Sequence, residues 1–261
     1  MKISLQKSLF ILPNLFTLSS VFCGFYAVLV CSEHASQEDL FRASVLILFA
    51  MFFDTIDGRV ARLTKTQSAI GVQLDSLADV ISFGVAPAVL VYRWSLFASS
   101  ELGIGACFLY VSCGTIRLAR YNVLAMSDSG APKQPSKYVF GLPIPAAAGI
   151  LISLVVASRH TLGSRLSEYI YLMLGVVFVL SFLMVSTIRF RSFKELRLCR
   201  STALLITLVV GSATFIAWRF HASFAVIWLL SGYIAFALFE SLVELSRRGN
   251  RREAETTISS R

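Results

Sequence analysis

Residues 45–92 read VLILFAMFFDTIDGRVARLTKTQSAIGVQLDSLADVISFGVAPAVLVY, and four aspartates near the middle of that stretch decide how the chain is read. They are spaced Asp54-x2-Asp57-Gly58-x2-Ala61-Arg62-x8-Gly71-x3-Asp75-x3-Asp79. The segments on either side are strongly apolar. A carboxylate placed at membrane depth costs about 2.5–3.5 kcal/mol on insertion scales, so acids kept there are functional suspects. On a helix, residues three or four apart share a face. Asp54 and Asp57 then project together near the end of one span, and Asp75 and Asp79 project together early in the next. Four converging acids repel one another, and the economical remedy is a divalent cation. Carboxylate oxygens suit Mg2+ or Mn2+. The stretch reads as a metal-dependent active site at a membrane face.

Composition supports the membrane half of that reading. The chain has 261 residues, 56% of them hydrophobic, and a mean hydropathy of +0.72. That is greasier than soluble domains of this length. Runs near the ~20 residues that span a bilayer recur along the chain. Eight spans are expected, at 10–31, 41–58, 75–97, 103–121, 143–158, 169–188, 201–218 and 222–244. With the amino terminus inside, the inner segments hold 19 of the 24 Lys and Arg, and the outer loops keep Arg42, Arg93, Arg159, Arg165 and Arg219. That asymmetry fits an even number of spans with both termini cytosolic. It also accounts for the net charge of +9 without nucleic acid, since anionic headgroups attract the same residues.

The expected fold class is therefore an all-α polytopic membrane protein. Residues 1–188 form a six-helix membrane domain, 189–200 a basic cytosolic hinge, 201–245 two further transmembrane helices, and 246–261 a polar cytosolic tail. Lys2 and Lys7 before an apolar run resemble the start of a signal peptide, but no small-residue cleavage site follows. The five cysteines fall mostly in apolar segments without paired metal spacing and read as packing residues.

The aspartate pattern resembles, without gap or substitution, the signature of the CDP-alcohol phosphatidyltransferases, D-x2-D-G-x2-A-R-x8-G-x3-D-x3-D. The resemblance implies six core helices around a cytosol-facing cavity, with two extra helices here. It implies Asp54, Asp57 and Asp75 as metal ligands, and Asp79 as a further ligand that also acts as general base. The plainer reading of Asp79 is a metal ligand alone. Gly58, Arg62 and Ser68 match positions that bind the CDP portion of CDP-diacylglycerol, as do Asp54 and Asp57. Pro13-Asn14-Leu15-Phe16-Thr17 is similar to the family's P-N-x-x-T element, placing Asn14 and Thr17 beside the nucleotide. Read without that resemblance, Pro13 and Asn14 are an ordinary helix start.

Two further segments bear on the acceptor. Arg117-Leu-Ala-Arg120-Tyr-Asn122 and Phe140-Gly-Leu-Pro143-Ile-Pro145-Ala-Ala-Ala148 are similar to the bacterial and archaeal phosphatidylserine synthase branch of the family, as is Ser82–Pro87. The branch's T-L-x-N is T-L-S-S here, ending in Ser20. The resemblance implies L-serine as acceptor, with Arg117, Arg120 or Asn122 holding its carboxylate or a lipid phosphate. It further implies a prokaryotic inner membrane and a homodimer. The structural alternatives are positive-inside arginines at a helix end and an Asn helix cap. Functional alternatives are a phosphatidylglycerophosphate or phosphatidylinositol-type synthase, and, from another class, a carboxylate-based transporter.

Overall fold

The computed structural model describes residues 5–31, 34–64, 66, 68–99, 101–125, 138–161, 170–191, 212 and 232, with backbone alone at 5–11, 125, 138–140, 159–161 and 189–191. The expected spans at 201–218 and 222–244, the tail, and most of the basic hinge lie outside the described residues.

Six helical rods match the first six expected spans. They are α1 (Leu5–Val30), α2 (Gln37–Leu63), a composite rod from α3 (Ala69–Asp79) to α4 (Ala86–Trp94), α5 (Glu101–Ala125), α6 (Ile144–Thr161) and α7 (Ile170–Val185). Leu12–Val30, Ala69–Trp94 and Glu101–Leu124 are long and apolar enough to cross a membrane, while Ile144–Ser158 and Ile170–Val185 are shorter apolar helices. The chain is an α-helical membrane protein. One feature was not expected: Tyr138–Phe140 (β1) and Arg189–Arg191 (β2) pair antiparallel, with Val139 opposite Phe190. The start of the basic hinge is thus half of a short ribbon.

Local chemistry sets the helix ends. Ser36 caps α2 by accepting from the Asp39 N–H, and Asp39 returns a bond to the Ser36 N–H. This reciprocal box satisfies two donors that a helix start leaves orphaned. Pro13 does not start a helix. It lies inside α1, which begins two turns earlier at Leu5.

The rod from α3 to α4 is broken by a π-helical turn at Val80–Val85. Pro87 explains it. Proline has no N–H, so the carbonyl four residues back, on Phe83, loses its α-helical donor, and the ring crowds that carbonyl. Widening the turn relieves the crowding. The fully buried Tyr110 of α5 donates its hydroxyl to the Phe83 carbonyl at 3.1 Å. The polar group that Pro87 strands is thereby satisfied across a helix interface.

The core lies where these rods meet. Ile47, Phe83, Leu90, Tyr110, Ile144 and Met184 are fully buried. Phe22, Phe25, Phe52, Phe108 and Phe182 point outward, which suits a surrounding bilayer. Hydrocarbon removes most of the hydrophobic drive between helices, so close packing through small residues takes over. Gly24 is one such contact: a Cβ there would fall 2.7 Å from the Ser82 Cα.

The loop before α6 is tied to the end of α7. Gly141 donates to the Ile188 carbonyl at 2.9 Å and Leu142 to that of Leu183 at 3.0 Å. Arg120 spreads its guanidinium over the carbonyls of Val185 and Ser186, both at 3.0 Å, capping acceptors the ending helix leaves open. Gly141 has φ +76°, and any Cβ there would strike the Met184 carbonyl. Gly141→Ala should therefore destabilise the protein by about 1–3 kcal/mol, read as a lower unfolding midpoint in detergent. An unchanged midpoint would show that the loop is not held this way.

Candidate active site

The two aspartate pairs meet as helical spacing requires. Asp54 and Asp57 occupy the last turns of α2, and Asp75 and Asp79 occupy α3. Carboxylate oxygens of Asp54, Asp57 and Asp75 all lie within 4.8 Å of one another. Oxygen ligands at ~2.0–2.6 Å from a Mg2+- or Ca2+-type ion stand ~4–5 Å apart across it, so the cluster has the right span for one hard cation. Asp54 also lies within hydrogen-bonding reach of Asp75 and Asp79. The Asp79 Oδ1 is buried and has no hydrogen-bond partner among the described residues. Buried acceptors are normally satisfied, so this oxygen is placed to receive a proton or an ion. The donor set fits a divalent metal.

Helix α1 supplies one wall. Thr17, 4% exposed, donates its hydroxyl to Asp57 Oδ2 at 2.7 Å. One turn earlier, Asn14 lies beside α3: a Cβ on Gly71 would sit 3.8 Å from the Asn14 Oδ1 and 3.1 Å from the Ser68 Oγ. Ser68 caps α3 by accepting from the Gly71 N–H at 3.0 Å. Asn14, Ser68 and Gly71 thus converge at the start of α3, where free N–H groups favour anions. On α2 the Arg62 guanidinium folds back over Gly58, its nitrogens 3.5 and 3.9 Å from where a Cβ would be. The Arg62 charge acts on both Asp57 and Asp75.

The three residues expected to hold the acceptor make different contacts. Arg117 is 8% exposed, stacks over the Tyr121 ring with its Cζ 5.8 Å from the centroid, and is close enough for its charge to act on Asp79. Arg120 is engaged at the end of α7, as described above. Asn122 does not cap α5, which continues to Ala125. Its amide instead bridges to α3, donating to Ser76 Oγ at 2.9 Å and Gln73 Oε1 at 3.3 Å. Ser20, in place of the branch's Asn, faces Ser82 at 3.3 Å and is buried.

Some contributors were not foreseen from sequence. Ser76 and Gln73 hold Asn122, and Tyr110 supports the turn below Asp79. Pro87, four residues after Phe83, was the available signal for Tyr110. Nothing local signals Ser76 or Gln73, because their partner is 46 or more residues away.

An α-helical membrane rod bundle with this acidic cluster defines a class, and sequence comparison agrees. The profile of the CDP-alcohol phosphatidyltransferases matches residues 10–185, so the chain belongs to that family. Several relatives carry the name CDP-diacylglycerol–serine O-phosphatidyltransferase. The protein of Helicobacter pylori (strain J99 / ATCC 700824) is 38% identical over 191 residues, 72% of this chain and 75% of its own length. That of Mycobacterium bovis (strain ATCC BAA-935 / AF2122/97) is 32% identical over 230 residues, 83% of this chain and 78% of its own. That of Bacillus subtilis (strain 168) is 34% identical over 185 residues, 70% of this chain and 92% of its own.

Proposed function

We propose that this enzyme transfers the phosphatidyl group of CDP-diacylglycerol to the hydroxyl of L-serine, yielding phosphatidylserine and CMP. Relatives of that name across most of the chain, together with the converging carboxylates of Asp54, Asp57 and Asp75, carry the reading. Asp54, Asp57 and Asp75 would hold a divalent metal, Mg2+ or Mn2+, with Asp79 within hydrogen-bonding reach of Asp54 beside them. When bound there, such an ion would neutralise pyrophosphate charge and make CMP a better leaving group. Gly58, Arg62, Ser68 and Asn14 border the CDP portion, with Arg62 offering a planar fork to phosphate.

Asp79 accepts the proton of the serine hydroxyl as that oxygen bonds to the phosphorus bearing diacylglycerol. The bond from phosphorus to the CMP oxygen breaks, and CMP departs. Arg117, close to Asp79, is the residue we assign to the serine carboxylate. Arg120 and Asn122 support it by holding α7 and α3 against α5.

In this proposal the chain has eight spans, with both termini and the active site on the cytosolic side of a prokaryotic inner membrane, as the bias of Lys and Arg toward the inner segments supports. The chain works as a homodimer through membrane helices.

Purified enzyme given CDP-diacylglycerol and a panel of alcohols, scored for CMP, tests the acceptor. L-serine should outcompete glycerol 3-phosphate and inositol phosphate. Labelled glycerol 3-phosphate entering lipid while labelled serine does not would refute serine in favour of a phosphatidylglycerophosphate synthase. Arg117→Lys should raise the serine KM about 10- to 100-fold, since a lost charge-assisted contact is worth ~1.5–3 kcal/mol. Arg120→Lys should lower thermal stability more than it shifts that KM. The reverse ranking would exchange the two roles.

A further inference from the structure

Thr17 stands out because its single proton has two acceptors in reach. The hydroxyl lies 2.7 Å from Asp57 Oδ2 and 3.2 Å from the Pro13 carbonyl. The shorter, charge-assisted bond takes the proton. Thr17 is 4% exposed and Asp57 5% exposed, so this bond is made out of water and joins α1 to α2 across 40 residues of sequence. Phe16 and Phe53, the neighbours of Thr17 and Asp54, stack at 6.5 Å and keep the same two helices in register. The hydroxyl proton is therefore not available to a nucleotide, although the sequence pattern alone suggests that use.

We infer that Thr17 is a positioning residue for the metal site: it fixes the Asp57 carboxylate so that its remaining lone pairs face Asp54 and Asp75. An unheld carboxylate turns about its last torsion, which is broad and soft, and the three-oxygen array within 4.8 Å would then be populated only part of the time. A hydrogen bond to one oxygen removes that freedom before the ion arrives. Groups that orient metal ligands in this way typically change affinity by 10–100-fold when removed. The inference rests on the proposed metal-dependent reading of the aspartates, and it assigns α1 a role in metal binding in addition to lining the nucleotide.

The test is Mn2+ binding to the full chain in detergent, followed by the EPR signal of free Mn2+ without any substrate. Thr17→Val keeps the shape and removes the hydroxyl, and it should weaken Mn2+ binding about 10- to 100-fold. Thr17→Ser restores the donor and should bind within a few-fold of the unaltered chain. Ser44→Ala removes a buried hydroxyl on α2 that donates to the Leu40 carbonyl, and should leave Mn2+ affinity unchanged. Equal affinity in Thr17→Val and the unaltered chain would overturn the role of Thr17 while leaving the metal site standing. An equal loss in Thr17→Ser or Ser44→Ala would also overturn it, since loosened packing would then be the cause. Failure of the unaltered chain to bind Mn2+ would remove the metal reading itself, and the inference with it.

Discussion

Asp79→Asn should lower turnover by about 10²–10⁴-fold, the usual cost of losing a general base. The substitution keeps the size of the side chain and one oxygen, and it removes the negative charge and the capacity to take a proton. The Asp79 Oδ1 is buried without a partner among the described residues. CDP-diacylglycerol binding should weaken much less than turnover. Asp57→Asn provides the contrast. Asp57 belongs to the three-oxygen array and accepts from Thr17, so its loss should damage nucleotide binding and turnover together. Single-turnover CMP release and equilibrium nucleotide binding, measured on both variants, separate the cases. Near-normal turnover in Asp79→Asn would place the base elsewhere.

Removing divalent metal should abolish CMP release altogether. Asp54, Asp57 and Asp75 bring carboxylate oxygens within 4.8 Å of one another at a half-buried site. Like charges that close repel one another unless a cation sits among them. Chelation should stop the reaction, Mg2+ or Mn2+ should restore it, and monovalent salt at equal ionic strength should not. Full activity in excess chelator would rule out a metal role and leave the acidic cluster without an explanation.

Much of the site was legible in residue order because its elements are local. The 3- and 4-residue spacings of Asp54, Asp57, Asp75 and Asp79 put each pair on one helical face whatever the rest of the fold does. The six described rods follow from apolar runs, since a bilayer satisfies backbone polar groups only inside helices or closed barrels. Arg117, Arg120 and Asn122 behave differently. All three sit within six residues of one another near the end of α5, and sequence treats them alike. In the folded chain Arg117 comes close to Asp79, Arg120 caps α7, and Asn122 binds α3. Which neighbour each meets depends on helices more than 35 residues away.

Thr17 makes the same point within the site. Its position in P-N-x-x-T suggests a nucleotide contact, yet its proton goes to Asp57 because α1 packs directly along α2. Hydropathy was thus enough to determine the class of fold, spacing brought the aspartates of each pair together, and the match to a known signature pointed to the family. Those signals repeat within a few turns of one helix or along one span. The division of labour among the arginines, the Tyr110 bond that answers Pro87, the ribbon of β1 with β2 and the hold on Asp57 were decided only by tertiary structure. Each joins groups distant in sequence, and such pairings are selected by how helices pack rather than by any pattern along the chain.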